Sequence, residues 1–229
     1  RDRDVTGVQT CALPILPGLV ARYKMDGNVS DTSGNQLDAE VVGTSVSFTP
    51  DHCGGLAMVG NVDHYLKLPS SAKLTTTQNQ ALSVAFWAAY PLPTDQGGTV
   101  VARYLNYDTI NSNFAVAAGP TGLWAYGNGT NGFSKSPIVI GPAWHHYAAT
   151  IPAGGQSSKL FIDGVLVATG NLNLSSQIGS VPTTVATLSA ADPDNPTGYR
   201  FKGLLDDIQI FGSEEHTSEL QSHHDLVCR

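Results

Sequence analysis

The sequence predicts an all-β fold, a two-sheet antiparallel β-sandwich of the jelly-roll kind. Three observations predict it. Apolar and β-branched segments of strand length recur along the chain and break at Gly, Pro, Asn or Ser, roughly every 8–15 positions. No stretch carries the periodicity of an amphipathic helix, and no internal repeat is present. Asp163-Gly164 joins two apolar arms, 159–162 and 165–168. An Asp-Gly pair in that setting signals a type I′ turn, whose two central residues both need positive φ.

In order, the expected strands are 19–25, 39–42, 55–59, 65–68, 81–90, 99–104, 113–118, 122–126, 144–151, the hairpin 159–167, 184–190 and 201–211. The first opens the domain ahead of a turn-rich loop, Asp26-Gly-Asn28-Val-Ser-Asp31-Thr-Ser33-Gly34-Asn35. Segment 81–90 is apolar almost throughout. Segment 122–126 alternates, with Leu123 and Ala125 on one face and Trp124 and Tyr126 on the other. The last, F-K-G-L-L-D-D-I-Q-I-F, closes the sandwich.

The two ends have no such pattern. Residues 1–15 and 213–229 resemble translated sequencing-adapter sequence, and they are set aside from fold reasoning. The expected domain is 16–212, cut from a longer protein whose signal peptide, anchor and neighbouring domains would have been lost with the cut. A segment of that length suits one domain with a sizeable core. Lys+Arg falls from 12 to 9 without Arg1, Arg3 and Arg229. Asp+Glu falls from 19 to 13 without Asp2, Asp4, Glu214, Glu215, Glu219 and Asp225, which leaves a net charge of −4. With no basic run, that balance argues against nucleic acid or an anionic membrane as partner. The longest nearly apolar run, 81–92, is too short to span a bilayer. Of the three cysteines, Cys11 and Cys228 lie in the set-aside ends, and Cys53 is expected as a lone, small, buried residue.

Five motifs stand in order: G-L-V-A-R-Y-K-M-D-G-N-V-S-D-T-S-G-N, G-G-L-A-M-V-G-N-V-D-H-Y-L-K-L-P, A-L-S-V-A-F-W-A-A-Y-P, W-H-H-Y followed by K-L-F-I-D-G, and F-K-G-L-L-D-D-I-Q-I-F. Together they resemble laminin-G-like, concanavalin A-type lectin/glucanase modules over nearly the whole of 16–212. The resemblance implies a recognition module of an extracellular or cell-surface protein.

Catalysis has few candidates. Glycosidases of this architecture need two carboxyl groups across the scissile bond. Glu40 is the one glutamate in 16–212, and Asp206 and Asp207, adjacent on a strand, are expected to point to opposite faces. A lyase would need a His/Tyr pair, for which His145 or His146 with Tyr147 is a source, but the resemblance implies that their position is an ordinary structural strand. Gly127, Gly129 and Gly132 spell G-x-G-x-x-G, yet the following Phe133–Pro137 stretch cannot begin the helix that a dinucleotide site requires.

Two binding sites are expected. Asp26, Asn28 and Asp31 are rich in oxygen ligands, and Leu37 at position twelve excludes an EF-hand. The resemblance implies that the opening loop meets the closing strand, so that Asp206 or Asp207 completes a structural Ca2+ site. Read without the resemblance, the same residues are turn formers that bond their own backbone. The second is a glycan surface. Trp124, Tyr126 and Asn128 share one face, and Arg103 and Tyr107 lie on a neighbouring segment. Aromatic faces stack on sugar rings while polar groups read the hydroxyls. Trp87 and Trp144 are expected in the core. The resulting expectation is non-catalytic, lectin-like carbohydrate binding, as an accessory to an attached polysaccharide-degrading enzyme or on its own, with a glycan or polysaccharide and other domains of a longer parent as partners. The alternative is an adhesion or spacer module.

Overall fold

The computed structural model describes residues 18–74, 80–103, 114–127, 132–135, 141–153, 157–172, 183–185 and 200–212. Two antiparallel sheets contain the strands, numbered in chain order. The first sheet runs β13 (Val165–Asn171), β12 (Ser157–Ile162), β11 (His145–Ile151), β6 (Leu82–Ala89), β15 (Gly203–Phe211), β4 (Leu56–Gly60) and β3 (Ser47–Pro50), with β1 (Leu19–Tyr23) also paired to β15. The second runs β10 (Gly132–Lys135), β9 (Gly122–Tyr126), β8 (Phe114–Gly119), β7 (Gly98–Arg103), β14 (Thr184–Val185), β5 (His64–Lys67) and β2 (Glu40–Gly43). No helix among the described residues is long and apolar enough to cross a membrane.

Every expected segment contains a strand. β3 and β10 were not expected, because S-F-T-P and G-F-S-K are too short and too rich in turn residues to stand out. Each is an outer strand held by one neighbour. The hairpin turn is as expected: Asp163 has φ 50° and Gly164 φ 75°, and Ile162 faces Val165 across it.

The main core lies between the sheets. Phe86, Tyr147, Leu160 and Ile210 from the first meet Leu66, Phe114, Val116 and Leu123 from the second. Burying each large apolar side chain contributes about 1.5–3 kcal/mol. β6 is buried along its whole length. Val84, Phe86 and Ala88 enter this core, while Ala85 packs on the outer face with Ala148, Phe161 and Phe211. That outer face is therefore itself a covered surface.

β15 organises the first sheet. β6 pairs with it on one side, and β4 and then β1 pair with it on the other. A bulge breaks the register: Asp206 faces Trp87, but Gln209 faces Ala85. Asp207 has φ 41° at this point. The extra residue resets the alternation of side chains.

Cys53 differs from expectation. It is half-buried and disulfide-bonded. The 16–212 boundaries fall beside residues that are not described.

Candidate functional site

The opening loop closes on itself. Asp31 Oδ1 accepts the backbone N–H groups of Arg22 (3.0 Å) and Ser33 (2.9 Å). Its Oδ2 accepts the Leu37 N–H (3.0 Å) and the Ser33 hydroxyl (2.8 Å). Burial pushes this carboxyl up, but the amides of Arg22, Leu37 and Ser33 outweigh it and hold the group below its ordinary value. Asn28 accepts the Ser30 N–H at 3.0 Å, and Asn35 donates to the Leu19 and Val20 carbonyls. This is turn chemistry, fully satisfied within the protein.

Asp207 is also engaged. Arg22 holds it with both forks, Nε to Oδ1 at 2.6 Å and Nη2 to Oδ2 at 3.0 Å, and Gln209 Nε2 donates to Oδ2 at 2.7 Å. The partner of this buried carboxylate therefore comes from β1, 185 positions away. Arg200 and Lys202, the basic residues nearest in sequence, are placed elsewhere: Arg200 lies over the Tyr65 ring and Lys202 pairs with Gly97. The expected divergence of Asp206 and Asp207 is corrected by the bulge. Asp206 faces Trp87 on the outer side, and Asp207 bonds to Arg22 and Gln209, which pair with each other on that same side. Of the five expected calcium ligands, Asn28, Asp31 and Asp207 are engaged by the protein's own groups, while Asp26 and Asp206 both lie beside Asp51. An ion at Asp31 or Asp207 would have to displace amides or Arg22.

Asp206 has a different neighbourhood. It is 4% exposed, and its Oδ1 accepts the Asp207 N–H at 2.8 Å. Burial first, then the charges of Asp207 and Asp51, push its carboxyl up to about 8, and it hydrogen-bonds to Asp51. Asp51 anchors a turn through Oδ1, which accepts the N–H groups of Cys53 and Gly55, both at 2.8 Å. The ligand atoms of Asp51, His52 and Asp206 lie within 4.8 Å of one another. His52 is held between two indoles, 4.4 Å from Trp87 and 4.9 Å from Trp144. Neither of its ring nitrogens has a hydrogen-bond partner or solvent access. Burial holds the imidazole below its ordinary range, against the pull of Asp51. Trp87 was expected in the core; it is buried, but on the outer face beneath His52 and beside His146. Trp144 is half-buried against His52. Asp51 and His52 were missed. The signal available was the D-H-C-G-G turn, an Asp before two glycines.

The histidine–tyrosine pair is taken apart by the strand. Tyr147 is fully buried in the main core, stacked on Phe86 at 5.3 Å, and burial pushes its hydroxyl well above the ordinary range. His146 faces the other way, against Trp87. His145 Nδ1 contacts Asp163 Oδ2 at 2.7 Å, and Asp163 Oδ1 accepts the His146 N–H at 2.9 Å. These contacts tie the hairpin turn to the start of β11.

On the second sheet, Trp124 and Tyr126 are half-buried on the outer face of β9. Trp124 faces Ala117, and Tyr126 faces Ala115, which faces Ala102 in turn. Tyr126 packs over the fully buried Ala102 and Ala115, so each aromatic lies against small side chains with part of its surface exposed. Arg103 does not join them. It pairs with Phe114, a core residue, so its side chain lies on the opposite face of the sheet, and it is buried there. Tyr107 and Asn128 lie outside the described residues. Gly127 follows β9 and Gly132 begins β10, the antiparallel partner of β9, so a strand and not a helix starts at the last glycine.

Solved structures share this architecture. Domain 4 of AbnA, a GH43 extracellular arabinanase from Geobacillus stearothermophilus solved with arabinotriose, is 21% identical with a TM-score of 0.64, over 89% of this chain and 97% of that one. The binding domain of Paraclostridial Mosquitocidal Protein 1 is 14% identical with a TM-score of 0.70, over 91% and 52%. The binding domain of Botulinum neurotoxin DC, solved with rat synaptotagmin II, is 15% identical with a TM-score of 0.67, over 91% and 51%. The chain thus spans about half the length of those toxin domains. At these identities the likeness shows the fold alone. No curated protein matches the chain. Residues 60–221 match the laminin-G-type family described as the concanavalin A-like lectin/glucanases superfamily, and the chain belongs to that superfamily.

Proposed function

We propose that the chain is a non-catalytic carbohydrate-binding module of a secreted or cell-surface protein, with its sugar site on the outer face of the second sheet. The observation that carries this reading is the pair Trp124 and Tyr126, side by side on β9 above a floor of Ala102, Ala115 and Ala117. A flat aromatic beside small residues leaves room for a sugar ring to lie against it. The solved relatives favour the same class of ligand: the arabinanase domain was solved with arabinotriose, and a Botulinum neurotoxin DC binding domain was solved with SialylT. The burial of Tyr147 and the separation of its face from that of His146 weigh against the lyase alternative. Recognition, in this proposal, does not depend on calcium.

The second reading, an adhesion module that binds protein, is favoured by the neurotoxin DC binding domain solved with rat synaptotagmin II. A glycan and polysaccharide screen on the full chain, run with calcium and with a chelator, separates the two. The expected result is binding that survives the chelator and falls at least tenfold in Trp124→Ala, with the melting temperature nearly unchanged. A blank screen from folded protein would transfer the reading to adhesion.

A further inference from the structure

We infer that Asp51, His52 and Asp206 form a binding site for one divalent cation of the nitrogen-accepting borderline class, with zinc as the reference ion. The site lies on the outer face of the first sheet and is independent of the proposed sugar surface. Its ligand atoms come from two places, the turn after β3 and the bulge of β15, and stand within 4.8 Å of one another. Each carboxylate uses Oδ1 on backbone N–H groups, Asp51 on those of Cys53 and Gly55 and Asp206 on that of Asp207. Beyond these bonds the two carboxyl groups meet each other and share a hydrogen bond, which a bound cation would replace.

The observation independent of the carboxylates is His52. Both of its ring nitrogens are shut off from water, and neither has a hydrogen-bond partner. A buried polar atom in that state has given up its bonds to water without replacement, so it calls for a partner. Trp87 and Trp144 clamp the ring faces, which presets the edge that would ligate. A neutral imidazole with two carboxylates is a zinc-type donor set, whereas calcium takes six to eight oxygens. Zinc holds such ligands at roughly 2.0–2.2 Å, so binding would draw the three side chains together by about 1–1.5 Å. Gly55 leaves space beside them. A Cβ there would fall 2.6 Å from Asp26 Oδ1 and 3.0 Å from Asp51 Oδ2, so Asp26 stands next to the site as a possible fourth donor.

The test uses the full chain stripped of metal, titrated by calorimetry with Zn2+, Co2+ and Ca2+. His216, His223 and His224 also attract zinc, so the difference between variants is the readout and not total uptake. His52→Phe keeps a ring between the indoles and removes both nitrogens. Asp51→Asn keeps the turn acceptor and removes the charge; it serves as the second variant should His52→Phe fail to fold. The expected result is a site of one ion per chain that each variant weakens at least tenfold, with visible Co2+ absorption lost alongside and a weaker Ca2+ response. Zinc uptake unchanged in both variants, no uptake at all, or calcium bound more tightly than zinc would each overturn the proposal.

Discussion

The opening loop and the turn at 51–55 are both aspartate-centred, and they treat their carboxylates in opposite ways. Asp31 fills both oxygens with four donors from its own surroundings. Asp51 gives Oδ1 to two backbone N–H groups and turns its other side to carboxyl groups, hydrogen-bonding to Asp206 and lying near Asp26. A similar contrast separates neighbours on β15, where Asp207 has a two-pronged arginine and Asp206 has a carboxyl group for company. Richness in oxygen is therefore not what marks a cation site. What marks it is an oxygen left over after the backbone has been served.

The largest effect should come from removing the partner of Asp207. In Arg22→Met a carboxylate that is 5% exposed keeps its charge and loses both guanidinium bonds. Stranding a buried charge costs about 3–5 kcal/mol, read as a fall in the urea midpoint. Adding Asp207→Asn should recover part of that loss, because the charge goes with its partner. If Arg22→Met melts like the parent, Asp207 is not dependent on its partner and the contrast with Asp206 collapses.

A smaller effect belongs to Asp31. Asp31→Ala removes four hydrogen bonds and should cost about 2–3 kcal/mol. Its pH signature has a definite sign. The folded-state carboxyl is held below its ordinary value, so its contribution is complete above about pH 4 and is lost as pH falls through the lowered folded value. Asp31→Asn should therefore flatten the acid limb of a stability curve measured between about pH 2 and 5. An unchanged acid limb would mean that the amides do not favour the ionised form.

Much of this molecule was readable before folding, and the remainder shares one cause. The strands, the Asp163-Gly164 turn and the common face of Trp124 and Tyr126 follow from local pattern, since alternation and turn chemistry act over a few residues. The partners of the aspartates do not. Arg22 reaches Asp207 only because β1 pairs with β15, and the bulge that turns Asp207 outward inserts a residue without any glycine to announce it. Arg103 shows the same limit on a smaller scale. A strand's alternation is legible, but which face is the core at its last residue depends on the register with Phe114. His52 was invisible as a site residue because the two indoles that hold it come from β6 and from just before β11.

The finest test of the contrast is Gly55→Ala. The backbone there lies outside the left-handed region, so alanine brings no φ strain, and the methyl meets side-chain oxygens that can move aside. The expected stability cost is correspondingly small, about 1 kcal/mol or less, as for mild overpacking that side chains can relieve. Relief comes only by displacing the Asp26 and Asp51 carboxylates, and Asp51 is one of the groups beside His52. A melting temperature near that of the parent, combined with a zinc response reduced at least severalfold, would place the function of this turn in its unfilled oxygens. Equal losses of stability and zinc response would instead make Gly55 a packing residue and remove the distinction between this turn and the opening loop.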